Sequence, residues 1–169
     1  RETAEQALRI FGRWHRFIEG HDRLRLARRA ADIEDAKQAG DLAIVFHFQG
    51  TDAVEDDLDL LDAYKALGLG MAGLSLFGQD LVKRCNDLRL IVDGSHTGFK
   101  TTMDAMEICD GPFVFSHANA KALHPSPRNI TDDQMKACAQ TGGVVGINGF
   151  PSFLGDDPRP SLARFIEFI

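Results

Sequence analysis

Leu90-Ile91-Val92-Asp93-Gly94-Ser95-His96 and Pro112-Phe113-Val114-Phe115-Ser116-His117 decide how this chain is read. In each, a short apolar run gives way to Ser-His. A third run, Ala43-Ile44-Val45-Phe46-His47-Phe48-Gln49-Gly50, also ends in a polar side chain. Short apolar runs bounded by helical patterns read as buried parallel strands. Parallel strands joined by helices bring their carboxyl ends to one face, so polar residues placed there converge although they are far apart in sequence.

Outward from these runs, helix and strand patterns alternate. Residues 2–19 read as a helix, with Leu8, Phe11, Trp14 and Ile18 at helical spacing and Trp14 assigned to the core. A helix over residues 31–39 stops at Gly40, and the strand of residues 42–49 follows. Asp52 reads as the cap of a helix carrying Val54, Leu58, Leu61, Tyr64 and Leu67. Leu69 to Leu74 starts like a strand and is cut short, and a helix runs from Ser75 to about Leu88. The His96 strand, a helix from Thr101 to Cys109, the His117 strand and an Asn- and Pro-rich loop come next. Thr131 caps a helix over residues 132–140, and Val144 to Asn148 is a further strand. This order predicts an α/β fold with right-handed crossovers, an incomplete (β/α)8 TIM barrel. A full barrel needs about 250 residues, against the 169 present.

Composition removes several alternatives. Hydrophobic residues make up 44% of the chain and charged residues 26%, as in soluble globular proteins. A formal net charge of -6 gives nucleic-acid binding no electrostatic support. No G-x-x-x-x-G-K-[ST] phosphate loop is present. No apolar run approaches the roughly 18 residues of a membrane helix. Cys85, Cys109 and Cys138 are odd in number, have no C-x-x-C spacing and fall in helical segments. They read as buried thiols in a reducing compartment, which places the protein in the cytoplasm.

Five side chains are candidates for chemistry. His96 and His117 end successive strands, so their imidazoles read either as hydrogen-bonding strand caps or as ligands of one divalent metal. Gln49 reads either as a weak metal ligand or as a hydrogen-bonded amide packing the rim. Arg128, in the loop after His117, presents a fork suited to a substrate carboxylate, with an ordinary surface arginine as the alternative. Asp93 could orient an imidazole without touching the metal, or serve as a turn acid. His15, His21 and His124 have no comparable placement.

Ile91-Val92-Asp93-Gly94-Ser95-His96, Phe113-Val114-Phe115-Ser116-His117-Ala118-Asn119 and Arg128-Asn129-Ile130 together closely resemble the membrane (renal) dipeptidase family, zinc peptidases of the amidohydrolase-like barrel group. Gly73-Leu74-Ser75-Leu76-Phe77-Gly78 and Gly142-Gly143-Val144-Val145-Gly146-Ile147 are similar to the segments before and after the histidine strands of that family.

The resemblance implies a bacterial metal-dependent dipeptidase formed by residues 1–169 as one partial barrel domain, with two zinc ions, a dipeptide substrate and a possible homodimer. His96 and His117 match the ligands of the second zinc, and Arg128 matches the arginine that binds the substrate carboxylate. Gln49 stands where the family usually has a glutamate bridging both metals, although some bacterial relatives carry Phe-Gln. A neutral amide holds two dications together less well than a carboxylate. That departure leaves open a related amidohydrolase with one metal or an altered site, or a metal-free pseudoenzyme. The resemblance also implies a segment missing between Met71 and Ala72, a His-x-Asp ligand pair before Arg1 and a catalytic aspartate beyond Ile169. On that expectation, these residues alone would lack activity.

Overall fold

The computed structural model describes residues 3–74 and 78–169, which fall into two compact units, residues 1–90 and 91–169. The first unit opens with α1 (Ala4–Glu19). The Thr3 hydroxyl accepts from the Gln6 N–H at 3.3 Å, and the Gln6 side chain accepts from the Thr3 N–H at 3.0 Å. Two donors that a helix start leaves without intrahelical partners are thereby satisfied. The helix buries Ala7, Phe11 and Ile18. The Phe11 ring meets Phe46 and Phe48 edge-on, with centroids 5.0 and 5.7 Å away, and stacks on Tyr64 at 5.6 Å.

Trp14 corrects an expectation. It shares the Phe11 stripe but lines an open groove of about 360 Å³ with Ile10, Val45 and His47, and it is 47% exposed.

Four short strands follow in two parallel pairs. β1 (Leu24–Leu26) pairs with β2 (Leu42–Ile44), Leu24 opposite Leu42 and Leu26 opposite Ile44. β3 (Phe46–Phe48) pairs with β4 (Leu69–Gly73), with a register shift between Phe46 and His47. The single strand expected over residues 42–49 is therefore two strands that change partner at Val45. Between β1 and β2, α2 (Ala30–Ala39) is held at its start by the Asp32 carboxylate, which accepts from the Arg28 and Arg29 N–H groups at 2.8 and 3.0 Å. The Arg28 N–H, then the Arg29 guanidinium at 3.0 Å and the Arg29 N–H, hold the Asp32 carboxyl below its ordinary pKa.

The helix expected from Asp52 is also corrected. Residues Asp52–Val54 form one 3-10 turn, and α3 (Leu60–Ala66) starts only after Glu55 takes a φ of 54°. Five acids crowd residues 52–59, and their short side chains favour turns closed by carboxylate oxygens, such as Asp57 accepting from the Asp59 N–H. Gly68-Leu69-Gly70-Met71-Ala72-Gly73 spells G-x-G-x-x-G, but it forms β4 itself rather than the turn after a strand, so it has no phosphate-binding geometry. The unit ends in α4 (Gly78–Leu88), whose Arg84 pairs with Asp62. The expected start of this helix at Ser75 lies outside the described residues.

The second unit opens with β5 (Ile91–Asp93), which is shorter than the run ending at His96. It is followed by α5 (Phe99–Ile108). β6 (Phe113–Val114) pairs parallel with β5, Val92 opposite Phe113 and Asp93 opposite Val114. Phe115 continues the ladder by bridging Val145, and Gly146 N–H donates to the Phe115 carbonyl at 2.7 Å. The strand expected over residues 144–148 is reduced to this bridge. α6 (Asp132–Gln140) starts at the expected Thr131 cap, where Gln134 completes a capping box and also donates to Thr102 Oγ1 at 2.7 Å. Two short helices close the unit, α7 (Pro151–Leu154) and α8 (Leu162–Ile166). Val92, Phe113 and Phe115 are fully buried at its centre. Among the described residues of both units, no helix is long and apolar enough to cross a membrane. Cys85 and Cys138 are buried free thiols and Cys109 is half-buried.

Candidate metal centre

The parallel pairing of β5 with β6 brings the two Ser-His sequences side by side. The Nε2 atoms of His96 and His117 face each other at 2.7 Å, with ring centroids 4.5 Å apart and rings near perpendicular. Two elements of backbone make this possible. After β5 the chain turns, the Thr97 N–H donating to the Gly94 carbonyl at 3.1 Å, and His96 sits at the third position of that turn with a φ of 68°. That left-handed conformation is uncommon for a residue with a Cβ, and it swings the imidazole over the end of β6. Gly94 itself packs on the Phe113 ring, where a Cβ would come within 2.5 Å.

Asp93 anchors the arrangement from beneath. Its carboxylate is buried, with Oδ1 accepting the N–H groups of Ser95 at 2.9 Å and Ser116 at 3.0 Å, and Oδ2 accepting the Ser116 hydroxyl at 2.5 Å. Ser116 Oγ lies 2.7 Å from His117 Nδ1, and the His117 N–H donates to Ser95 Oγ at 3.1 Å. Asp93 therefore reaches an imidazole, though through Ser116. Sequence reasoning left Ser95 and Ser116 without a role. The signal was there in the repetition of Ser before each histidine.

The His96 imidazole is held below its ordinary pKa, first by partial burial, then by the Arg128 guanidinium and the adjoining His117 ring, with Asp93 pulling the other way. The result favours the neutral ring, the form that binds metals. Phe153 packs against the His96 ring with centroids 6.2 Å apart. The Phe153 carbonyl accepts from Asn129 Nδ2 at 2.9 Å and from Asn119 Nδ2 at 3.4 Å. These two buried amides hold α7 against the loop that carries Arg128, a contact that spacing alone does not reveal.

The structure thus brings together His96 and His117. Arg128 is exposed, its N–H donating to Ser126 Oγ at 3.3 Å, and its charge acts on His96. Gln49 belongs to the other unit, exposed just after β3. Its carbonyl lies against Gly73, where a Cβ would approach within 2.3 Å. Of the remaining histidines, the His15 ring donates to the Leu67 carbonyl and the His21 ring to the Phe17 carbonyl, so both serve structure. Among the described residues, no group of three or more His, Cys, Asp or Glu side chains is placed to hold a metal. The facing imidazoles are two nitrogen donors of the kind zinc takes, and they fit part of a coordination sphere.

Comparison with known proteins supplies a wider frame. The profile of the membrane dipeptidase family (peptidase family M19) matches residues 2–75 and 70–169. An uncharacterized protein from the PQQ-III 3' region of Acinetobacter calcoaceticus is 30% identical, over 92% of this chain and 58% of its own. Among solved structures, an amidohydrolase from Pseudomonas aeruginosa superposes with a TM-score of 0.89 at 27% identity, over 98% of this chain and 57% of that one. A metallo peptidase from Rhodobacter sphaeroides, solved with a phosphinate mimic of the dipeptide L-Ala-D-Ala, gives a TM-score of 0.77 at 29% identity, over 88% and 53%. The chain therefore spans a little over half the length of each. The expected α/β fold of the TIM-barrel group is the one these structures share.

Proposed function

Because the chain belongs to the membrane dipeptidase family (peptidase family M19), we propose that it forms the His96–His117 part of a zinc-dependent dipeptidase. The observation that carries this reading is the pair of Nε2 atoms facing at 2.7 Å from the ends of successive strands. Bound zinc would supply a hydroxide near neutral pH and polarise the peptide carbonyl. His96 and His117 would hold the metal through neutral imidazoles, and burial with the Arg128 charge supports the neutral state of His96. Arg128, exposed in the loop after His117, would bind the free carboxylate of the substrate and so select short peptides. The dipeptide mimic held by the Rhodobacter relative supports that substrate class. The free thiols fit a reducing compartment such as the cytoplasm.

Gln49 favours a second reading. The resemblance matches Gln49 to a glutamate of the family, and an amide there supplies no negative charge, which suits one metal and an altered amide substrate. A metal-content assay on protein purified with zinc, run beside a panel of dipeptides before and after chelation, separates the two. About two zinc ions per chain and chelator-sensitive hydrolysis support the dipeptidase. About one ion supports the second reading. Hydrolysis that survives chelation, or none on any dipeptide, rejects the first.

A further inference from the structure

The buried Asp93 carboxylate accepts from Ser95 and Ser116, the residues that precede the two facing imidazoles. We propose that Asp93 is a positioning residue that acts through Ser116 to lock His117 as its Nδ1–H tautomer, leaving Nε2 bare. The functional meaning rests on the zinc reading above, whereas the tautomer itself does not.

The hydrogens available to these groups fix the tautomer. An ionised carboxylate only accepts, so at the 2.5 Å contact Ser116 Oγ must donate its single hydrogen to Asp93 Oδ2. Ser116 Oγ has then nothing left to donate, and at 2.7 Å from His117 Nδ1 it can only accept. The hydrogen between them therefore belongs to His117 Nδ1. A neutral imidazole carries one N–H, so His117 Nε2 holds a lone pair. The neighbouring contacts agree. Ser95 Oγ, 3.3 Å from Ser116 Oγ, becomes the donor of that pair while accepting the His117 N–H. His96 Nε2, opposite the bare His117 nitrogen, carries the hydrogen between the two rings in metal-free protein. Asp93 also fixes Ser116 in place by accepting its backbone N–H at 3.0 Å, so the relay does not depend on a freely rotating hydroxyl.

Replacing Asp93 by asparagine should reverse the relay. The Asn Oδ1 can still accept both backbone N–H groups, but its Nδ2 donates to Ser116 Oγ. The freed Ser116 hydrogen then points at His117 Nδ1 and moves the ring hydrogen to Nε2, and metal binding there would have to return it to Nδ1 against the donating Ser116 hydroxyl. The test is long-range ¹H–¹⁵N NMR of the imidazoles in metal-free protein, followed by zinc titration against a chromogenic chelator. Wild type should show His117 as the Nδ1–H tautomer. Asp93→Asn should show Nε2–H, with zinc affinity lower by roughly ten- to hundredfold. Ser116→Ala, which removes the relay while leaving the Asp93 charge, should give mixed tautomers and an intermediate loss. Should Asp93→Asn fail to fold, wild type and Ser116→Ala still decide. An Nε2–H tautomer in wild type, or one tautomer shared by wild type and the folded variants, overturns the relay. Wild-type protein that shows the Nδ1–H tautomer but takes up no zinc supports the relay and overturns the zinc reading instead.

Discussion

Gly146 runs so close to Ser116 that a Cβ at Gly146 would lie 2.2 Å from the Ser116 carbonyl oxygen. The contact is backbone, so neither side can swing away. The strand end that carries His117 is therefore seated on a position that admits no side chain.

Gly146→Ala is expected to push the Ser116–His117 segment off its ladder and to destabilise the protein by about 1–3 kcal/mol. Zinc affinity should fall with it, because the His117 nitrogen moves relative to His96. Denaturant unfolding with Gly111→Ala as control measures this, since a Cβ at Gly111 meets nothing within 4 Å. Equal midpoints for the two variants would refute the seating.

The left-handed backbone of His96 predicts an inversion of the usual order of substitutions. At a φ of 68° an alanine keeps the strain of a Cβ, whereas glycine relieves it. His96→Gly should be more stable than His96→Ala by about 1 kcal/mol, while both lose zinc binding alike. If alanine proves the more stable, the turn does not hold this conformation in solution.

Acid should reveal the depressed pKa of His96. Above the ordinary imidazole value neither folded nor unfolded chain is protonated, and the group adds no pH dependence. As pH falls through that value, the unfolded chain takes up a proton that the folded chain resists, and stability declines until the lowered folded value is passed. Melting temperature measured between neutral and mildly acid pH should fall less steeply for His96→Gln than for wild type. Parallel curves would count against the shift.

Arg128→Ala has two consequences that separate charge from substrate contact. Loss of the guanidinium should raise the His96 pKa toward its ordinary value, visible by NMR titration of metal-free protein. On the dipeptidase reading it should also raise KM for substrates with a free carboxylate by roughly ten- to hundredfold, and leave amidated peptides unaffected. Equal losses on both substrate types would remove Arg128 from carboxylate recognition.

What the sequence makes legible here is what local chemistry controls. The Thr131 cap of α6 stands as expected, since its partner Gln134 lies within one turn. The approach of His96 to His117 was also readable, since parallel strands of similar length align their ends. Tertiary contacts account for the rest. The α3 start moved eight residues past Asp52 because clustered acids stabilise turns. Trp14 has the spacing of the buried Phe11 and Ile18, and only the tertiary contacts put it on the rim of an open groove. The hub formed by Asp93 needs two strands in register before its oxygens have anything to bind, so no spacing rule within one segment could announce it.

The switch of partner at Val45 makes that short joint a ruler. With Ile44 aligned to Leu26 on one flank and Phe46 to Leu69 on the other, inserting or deleting one residue would keep one row of backbone bonds in step and throw the other out. The two ladders together fix the length of this joint.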